Sequence, residues 1–554
     1  MHQDRISEDW FPVSAAQRGR WFLYQLNPAG QGSHNNVFAA RLHGAVDVDA
    51  IARAMRSLVD RHPQFRAHFR QHHGEPQQRI AAAVELSVPC CDASGMSREA
   101  LRQRIMADAA QPFDTTRPPL VRAGVYRRGP DEAVLLLVFD HLVIDGWSYW
   151  QVLEELGALL AAGGAGLPPP ASGAATYLDY VEWQRAWVDS PEGESQLRYW
   201  AQDLAGELPK LQLPADRSIS QAMQEARKRH EEVVFDLPAG LTRQLRELTR
   251  KQSSTLFVTL LAAYQMLLCR YAGQDEVVVG TVMPGRGNGE WDDVVGDFVN
   301  PIPIRSRFDA GATVAQALKA VRGTVLRGMS HQDYPFDLLV EKLHPSRELG
   351  DNPLFQTMFI FQKARRGADL ASLWAARDED ARVKWGGFDV GVFPVHKSDG
   401  NGVLALSLEV LEFEEHVGGV FKYDPALFDR TTVERLARCF ATLLEGMAAD
   451  DQALVSRLPL LDDAQRQQLL VDWNRSDAPY PLALTYADVF ERQAAAHPDR
   501  IAAVCDGARL TYAELDRRAN RLARALRDAG AGRDTLVALA GERDLPMLAM
   551  MLAV

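Results

Sequence analysis

The run AVLLLVFDHLVIDGWS, Ala133 to Ser148, constrains this chain more than any other stretch. Seven consecutive apolar residues, Ala133 to Phe139, are too few for an ordinary helix, and their Val and Leu content predicts a strand buried on both faces. That strand runs directly into Asp140, His141 and Asp145, and Gly146 supplies the tight turn by which the backbone reverses beside them. Ser148 and Gln151 have the spacing of a helix capping box, and Val152, Leu153, Leu156, Leu159 and Leu160 continue at helical intervals. The polar residues therefore sit on a strand-to-helix turn, where rigid scaffolds commonly present reacting groups. A lone histidine at such a place is either a hydrogen-bonded core residue or a proton-transfer group.

At 554 residues the chain is too long for one hydrophobic core, and two to four folding units are expected. With 47% hydrophobic and 24% charged residues it has the balance of a globular protein. A net charge of -12 without a basic patch argues against nucleic-acid binding, since a polyanion would be repelled. The segment MHQDRISEDWF lacks a secretory pattern and no apolar run reaches membrane-spanning length, so a cytoplasmic protein without membrane contact is expected. Five cysteines, including adjacent Cys90 and Cys91, read as reduced thiols, and neither they nor the histidines have metal-ligand spacing, so no metal is expected.

The remaining elements follow from periodicity. Ser14 caps a helix with Gln17 in the reciprocal position. A strand at Phe38–Gly44 precedes a helix over Val48–Arg61 that carries Ile51, Met55, Leu58 and Val59 on one face, and a third helix spans Ser97–Ala110. GGAGLPPP, Gly163 to Pro170, ends the helix begun at Ser148. Tyr177, Tyr180, Val181, Gln184 and Trp187 form a stripe, read as core packing, on a helix over Thr176–Val188. After the extended connector Leu208–Arg217 come a strand at Glu231–Leu237, a helix at Ala239–Lys251, an apolar helix at Thr255–Gly273 and a strand at Glu276–Met283. PGRGNGE, Pro284 to Glu290, has three glycines but follows a strand without opening a helix, which speaks against a phosphate loop. A strand at Leu404–Glu414 and a helix at Thr432–Met447 complete this half.

HLVIDGWS resembles the active-site motif HHxxxDG of the condensation domains of nonribosomal peptide synthetases, with Asp140 replacing the first His and His141 in the place of the catalytic second. Six further blocks match that family in order: PVSAAQRGRWFLYQL, RHPQFRAHF, TYLDYVEWQRAWV, VVGDFVNPIPIR, HQDYPFD and DNPLFQTMFIFQ. LTYAELDRRANRLARAL, Leu510 to Leu526, is similar to the first core motif of an adenylation domain. The resemblance implies an α/β fold of two lobes like chloramphenicol acetyltransferase, set in a V as a pseudo-dimer around a tunnel, followed by a truncated adenylation segment. The expected divisions are 1–207 and 208–450 for the lobes, 451–485 for a linker and 486–554 for the start of the adenylation domain. The adenylation family's ATP loop, catalytic Lys and carrier attachment site have no counterpart here, so a fragment of a longer synthetase is expected, with a tail that neither binds ATP productively nor carries a thioester.

The implied reaction is amide formation between a carrier-bound acyl thioester donor and the amine of a carrier-bound aminoacyl acceptor. The catalytic residues would be His141, Asp145 and Gly146, with Arg66, Asp140, Trp147 and Asn300 supporting the site. Within the second block the family's Arg pairs with the motif Asp, which makes Arg66 the expected partner of Asp145. A carboxylate at Asp140 either strengthens His141 as a base or replaces a structural histidine hydrogen bond. No cofactor is bound by this stretch; substrates come on the 4'-phosphopantetheine arms of an upstream donor carrier and a downstream peptidyl carrier, beside the adjoining adenylation domain. Asp140, Asp145 and Ser148 also satisfy DxxxxDxxS, the pattern of heterocyclization domains. An epimerase-like relative and an inactive recruitment scaffold compete with condensation as well. The texture of RYAGQDEVVVGTVMPGRG and FVNPIPIRS resembles condensation domains that follow a polyketide synthase or start a chain, which implies a polyketide or fatty acyl donor rather than a peptidyl one.

Overall fold

The computed structural model describes residues 9–164, 174–217, 231–287, 289–343, 352–363, 370, 381–395, 404–480 and 482–554. The sequence readings of MHQDRISE at the N-terminus and of 165–170 in the Gly/Pro loop fall outside them. The chain divides into two compact units, Met1–Gln465 and Arg466–Val554.

The apolar run does form the strand Glu132–Phe139, with Ala133 to Phe139 all buried. It lies inside a six-stranded sheet, antiparallel to both neighbours, Asn36–His43 and Val121–Gly129. Helices Val48–Arg61 and Gly146–Ala161 send Ile51, Leu58, Val152, Leu153 and Leu156 into the core of this first lobe. The second lobe is built on another six-stranded sheet, in the order Asn300–Arg307, Glu276–Met283, Thr357–Lys363, Leu406–Glu412, Val417–Tyr423 and Glu231–Leu237. Its core is centred on the helix Leu256–Ala272, which is buried almost throughout and ends, as its sequence predicts, at Gly273 in the left-handed conformation (φ +66°).

One feature of the first sheet is not local in sequence. Strands Arg382–Trp385 and Phe388–Val392 lie far beyond the boundary expected at 207/208, yet they pair with each other and then with Asn36–His43 to complete the first sheet. Trp385 fastens them: its indole N–H donates to the Leu153 carbonyl at 2.9 Å, and its ring lies 5.5 Å from that of Phe38. Gly157 makes room for it, since a Cβ there would stand 2.5 Å from the indole nitrogen. Arg466–Val554 holds the hairpin Ile501–Cys505 with Ala508–Thr511 and the helices Tyr512–Asp528 and Leu545–Ala553 around Leu510, Leu515, Leu545 and Ala549.

Trp385→Ala removes a buried aromatic and an indole hydrogen bond at the point where a distant segment joins the sheet. It should destabilise the first unit by about 3–5 kcal/mol, read as a lower denaturant midpoint. An unchanged midpoint would show that the exchanged strands contribute nothing to stability.

Candidate active site

The turn after the central strand is held from inside the protein. Asp140 has no exposed surface; its carboxylate accepts the Leu142 amide at 2.8 Å and the Tyr24 hydroxyl at 3.0 Å. Burial pushes this carboxyl above the usual carboxylate range, with those two hydrogen bonds and nearby Arg20 pulling the other way. These two hydrogen bonds tie Asp140 to the turn and to the first helix. The helix Ala15–Leu26 supplies the brace: its capping box of Ser14 and Gln17 forms as the sequence predicts, and the Gln17 side chain also donates to the Leu142 carbonyl at 2.8 Å.

Asp145 is the N-cap of the helix Gly146–Ala161 and accepts the Ser148 amide at 2.7 Å. The expected cap at Ser148 is therefore displaced by three residues. Both residue types cap helices well, and the Ser148 hydroxyl is taken instead by Arg286 at 2.7 Å and by the Gly296 backbone. Gly146 opens this helix without a left-handed backbone, so it is not the turn glycine its sequence position implies. A Cβ there would meet no atom within 4 Å, and the residue faces a large cavity.

The expected Arg66–Asp145 pair does not form. Arg66 is buried, but its guanidinium donates to the carbonyls of Val59, Asp60 and Ala81, the first two at the C-terminal end of the helix Val48–Arg61. The cation facing Asp145 is Arg286, whose Nη2 lies 3.2 Å from both carboxylate oxygens. Phe298 adds its amide at 3.1 Å. Arg286 and Phe298 belong to the connection between the strands Glu276–Met283 and Asn300–Arg307 of the second lobe, which crosses to the first. Trp147 and Gln151 reach the same connection through the carbonyls of Asp292 and Asp293. The aromatic stripe of the helix Tyr177–Val188 packs on it, with Tyr177 and Tyr180 against Phe298 and Trp291. Asn300 serves its neighbours: it donates to the Gln332 and Tyr334 carbonyls and accepts the Phe336 amide, joining two sequence blocks.

His141 stands at the wall of the cavity, a space of about 2680 Å3 lined from both lobes. Its side chain is 23% exposed, and Nδ1 is turned inward, 3.5 Å from the carboxylate of Asp297. Asp297 is fully buried and also binds Arg20 at 3.1 Å. Burial opposes its ionisation, but Arg20 and His141 outweigh that and hold its carboxyl below the usual range.

Of the residues singled out in the sequence, His141, Gly146 and Trp147 line the cavity, and Asp140 and Asp145 do not. Sequence reasoning missed Arg286, Asp297 and Arg20. The available signals were an arginine set between glycines in PGRGNG and an aspartate inside the apolar block VVGDFV, where a charge is expensive unless paired. In a double-mutant cycle, Asp145→Ala and Arg286→Ala should couple by about 1 kcal/mol or more, because each alone strands a buried charge. Asp145→Ala and Arg66→Ala should simply add. Melting curves of the five variants decide it, and coupling to Arg66 would overturn the assignment.

Residues 7–470 match the family model described as condensation domain, and residues 490–554 the one described as AMP-binding enzyme. A linear gramicidin synthase of Brevibacillus parabrevis is 35% identical over 98% of this chain and 7% of its own length. Chondramide synthase of Chondromyces crocatus is 35% identical over 99% of this chain and 14% of its own. The chain therefore spans only a small part of these relatives. Among solved structures, a four-domain nonribosomal peptide synthetase bound to AMP and glycine superposes with a TM-score of 0.81 at 22% identity, over 96% of this chain and 40% of that one. A mutant starter condensation domain of rhizomide synthetase in complex with C8-CoA gives 0.66 at 20% identity, over 82% of this chain and 98% of that one. At these identities the two structures share the fold. By the match over residues 7–470, the chain belongs to the condensation-domain family of nonribosomal peptide synthetases, the acyltransferase-type domains that form amide bonds.

Proposed function

We propose that this domain transfers an acyl group from a thioester on one carrier protein's 4'-phosphopantetheine arm to the amine of an aminoacyl group on a second carrier, with His141 handling the proton. The observation that carries the reading is the position of His141, on a turn held by hydrogen bonds at Leu142 and Asp145 and open to a cavity that both lobes line. In the reaction the amine nitrogen forms a bond to the thioester carbonyl carbon, the carbon–sulfur bond breaks, and the proton lost by the amine passes through the imidazole to the departing thiolate. Imidazole suits this role because it accepts and releases protons near neutral pH. The N-terminus of the helix at Gly146 borders the same space, where its dipole favours the negative charge that develops on the carbonyl oxygen. With both substrates delivered activated, positioning supplies most of the acceleration.

For the donor, a polyketide or fatty acyl chain is favoured over a peptidyl one. Phe22, Leu23 and Leu26 of the first helix and Leu326 and Met329 of the second lobe are exposed apolar residues on the cavity wall, a surface suited to hydrocarbon. Condensation is favoured over heterocyclization because Asp140, Asp145 and Ser148 are buried and none of them lines the cavity. The organisation proposed is a first lobe over 1–207 completed by the returning strands Arg382–Trp385 and Phe388–Val392, a second lobe from the rest of 208–450, a linker over 451–485 and the start of an adenylation domain over 486–554, with a donor carrier, a peptidyl acceptor carrier and that adenylation domain as partners.

His141→Ala should lower amide formation by about 10²–10⁴-fold while leaving the fold intact, as read by circular dichroism. Near-normal turnover with both carrier-bound substrates would sink the proton-transfer role. Gly146→Ala has room in the fold but puts a methyl group into the cavity, so turnover should fall by at least about tenfold at constant stability. Offering acyl-loaded and aminoacyl-loaded donor carriers in competition, with products read by intact-protein mass spectrometry, tests the donor. Preference for the aminoacyl or peptidyl donor refutes the acyl reading, and a product that has lost two waters points to cyclization.

A further inference from the structure

The pair Arg20–Asp297 stands directly behind the imidazole. His141 Nδ1 and one carboxylate oxygen of Asp297 are both buried, neither has a hydrogen-bond partner, and they face each other at 3.5 Å. The other carboxylate oxygen is held by Arg20 Nε at 3.1 Å. The charged and titratable groups that interact with this pair are Asp140, Tyr24 and Asp337, the last also influenced by Arg18. Burial raises the carboxyl of Asp337 to about 7 and shifts that of Asp140 upward as well, whereas Arg20 and His141 hold that of Asp297 below the usual range. The Tyr177 hydroxyl fixes the Asp297 backbone by donating to its carbonyl at 2.6 Å, and Gly296 lies so close to the Tyr177 ring that a Cβ would stand 2.1 Å from it. The carboxylate is therefore placed by a cation, a phenol and a close-packed glycine.

We propose that Asp297, clamped by Arg20, is a positioning residue of the amide-forming reaction: it accepts Nδ1–H of His141, fixes the tautomer whose Nε2 faces the cavity, and stabilises the imidazolium that forms when the amine proton is taken. A neutral imidazole carries one N–H, and only the tautomer with the proton on Nδ1 presents a lone pair to the substrate amine. Nδ1 is buried and makes no hydrogen bond to any other group among the described residues. The small closure from 3.5 Å needed to make this bond is of the kind that catalytic hydrogen bonds undergo when substrate is bound. The same arrangement, a buried carboxylate orienting a histidine that works as a base, underlies the serine hydrolase triad, where it acts without itself taking the proton.

The inference rests on the condensation reading only for its kinetic part, so the test has two arms. In the first, the chain is labelled with 15N-histidine and the ring signals of His141 are identified by their loss in His141→Ala. Wild type should show the Nδ1–H tautomer, and Arg20→Met/Asp297→Asn should shift toward Nε2–H. In the second, Asp297→Asn alone should lower the melting temperature by removing the carboxylate that ion-pairs with the largely buried Arg20, and the double substitution should restore it. With carrier-bound substrates, the double variant should nevertheless keep a kcat reduced by about tenfold or more, with KM little changed. Recovery of kcat together with stability, or the same tautomer in wild type and double variant, would show that Asp297 merely neutralises Arg20. Absence of amide formation by the wild type, with the tautomer switch intact, would overturn the proposed function and leave the pairing standing.

Discussion

The site depends on one buried carboxylate. Asp145 has no exposed surface, and it satisfies that burial with the Ser148 amide of its own helix and with Phe298 and Arg286 from the other lobe. An isolated ionised carboxylate inside a protein is strongly disfavoured, so these partners have to arrive together. Because they come from positions 145–148 and 286–298, the interaction that starts the helix beside His141 also fastens the crossing connection of the second lobe. That connection brings Asp297 with it. The helix start and the rear wall of the imidazole site are thus fixed by the same few hydrogen bonds.

This explains why the sequence points to Arg66 and passes over Arg286. Both are buried arginines, and either satisfies the rule that a buried acid has a cation. Arg66 is consumed locally, by carbonyls left open where the helix Val48–Arg61 ends. The glycine before Arg286 has a steric origin: Gly285 has φ +67°, and a Cβ there would stand 1.9 Å from the Phe298 carbonyl oxygen. The glycine-rich text therefore records a backbone crossing that delivers Arg286. Its sequence looks like a loop without function because the partner that gives it meaning lies 141 residues away.

Elements set by local rules were legible. The helices Val48–Arg61 and Ala239–Lys251 and the strands Glu231–Leu237 and Glu276–Met283 occupy the residues their periodicity and flanking signals predict. Pairing across long separations was not. The strand Phe388–Val392 joins Asn36–His43 through a register that no neighbouring residue specifies, and Trp385 finds its acceptor at Leu153, 232 residues earlier. The cap of the motif helix was ambiguous for a related reason. Asp145 and Ser148 both have the right chemistry, and the choice is made by Arg286, which engages both.

The helix Ala15–Leu26 shows how such distant demands are met by a local repeat. Gln17, Arg20 and Tyr24 follow one another at intervals of three and four, which places them on one face. Each ends on a different part of the site: Gln17 on the Leu142 carbonyl, Arg20 on Asp297 and Tyr24 on Asp140. Trp21, on the same face, packs near Phe69 in the core of the first lobe. The apolar contact supplies stability at this surface, while the three polar ties select one rotation and one height of the helix, since any slip would leave buried donors or acceptors open. A block that reads as a capped amphipathic helix is, in three dimensions, the ruler against which the strand-end turn, the crossing connection and the carboxylate behind His141 are aligned.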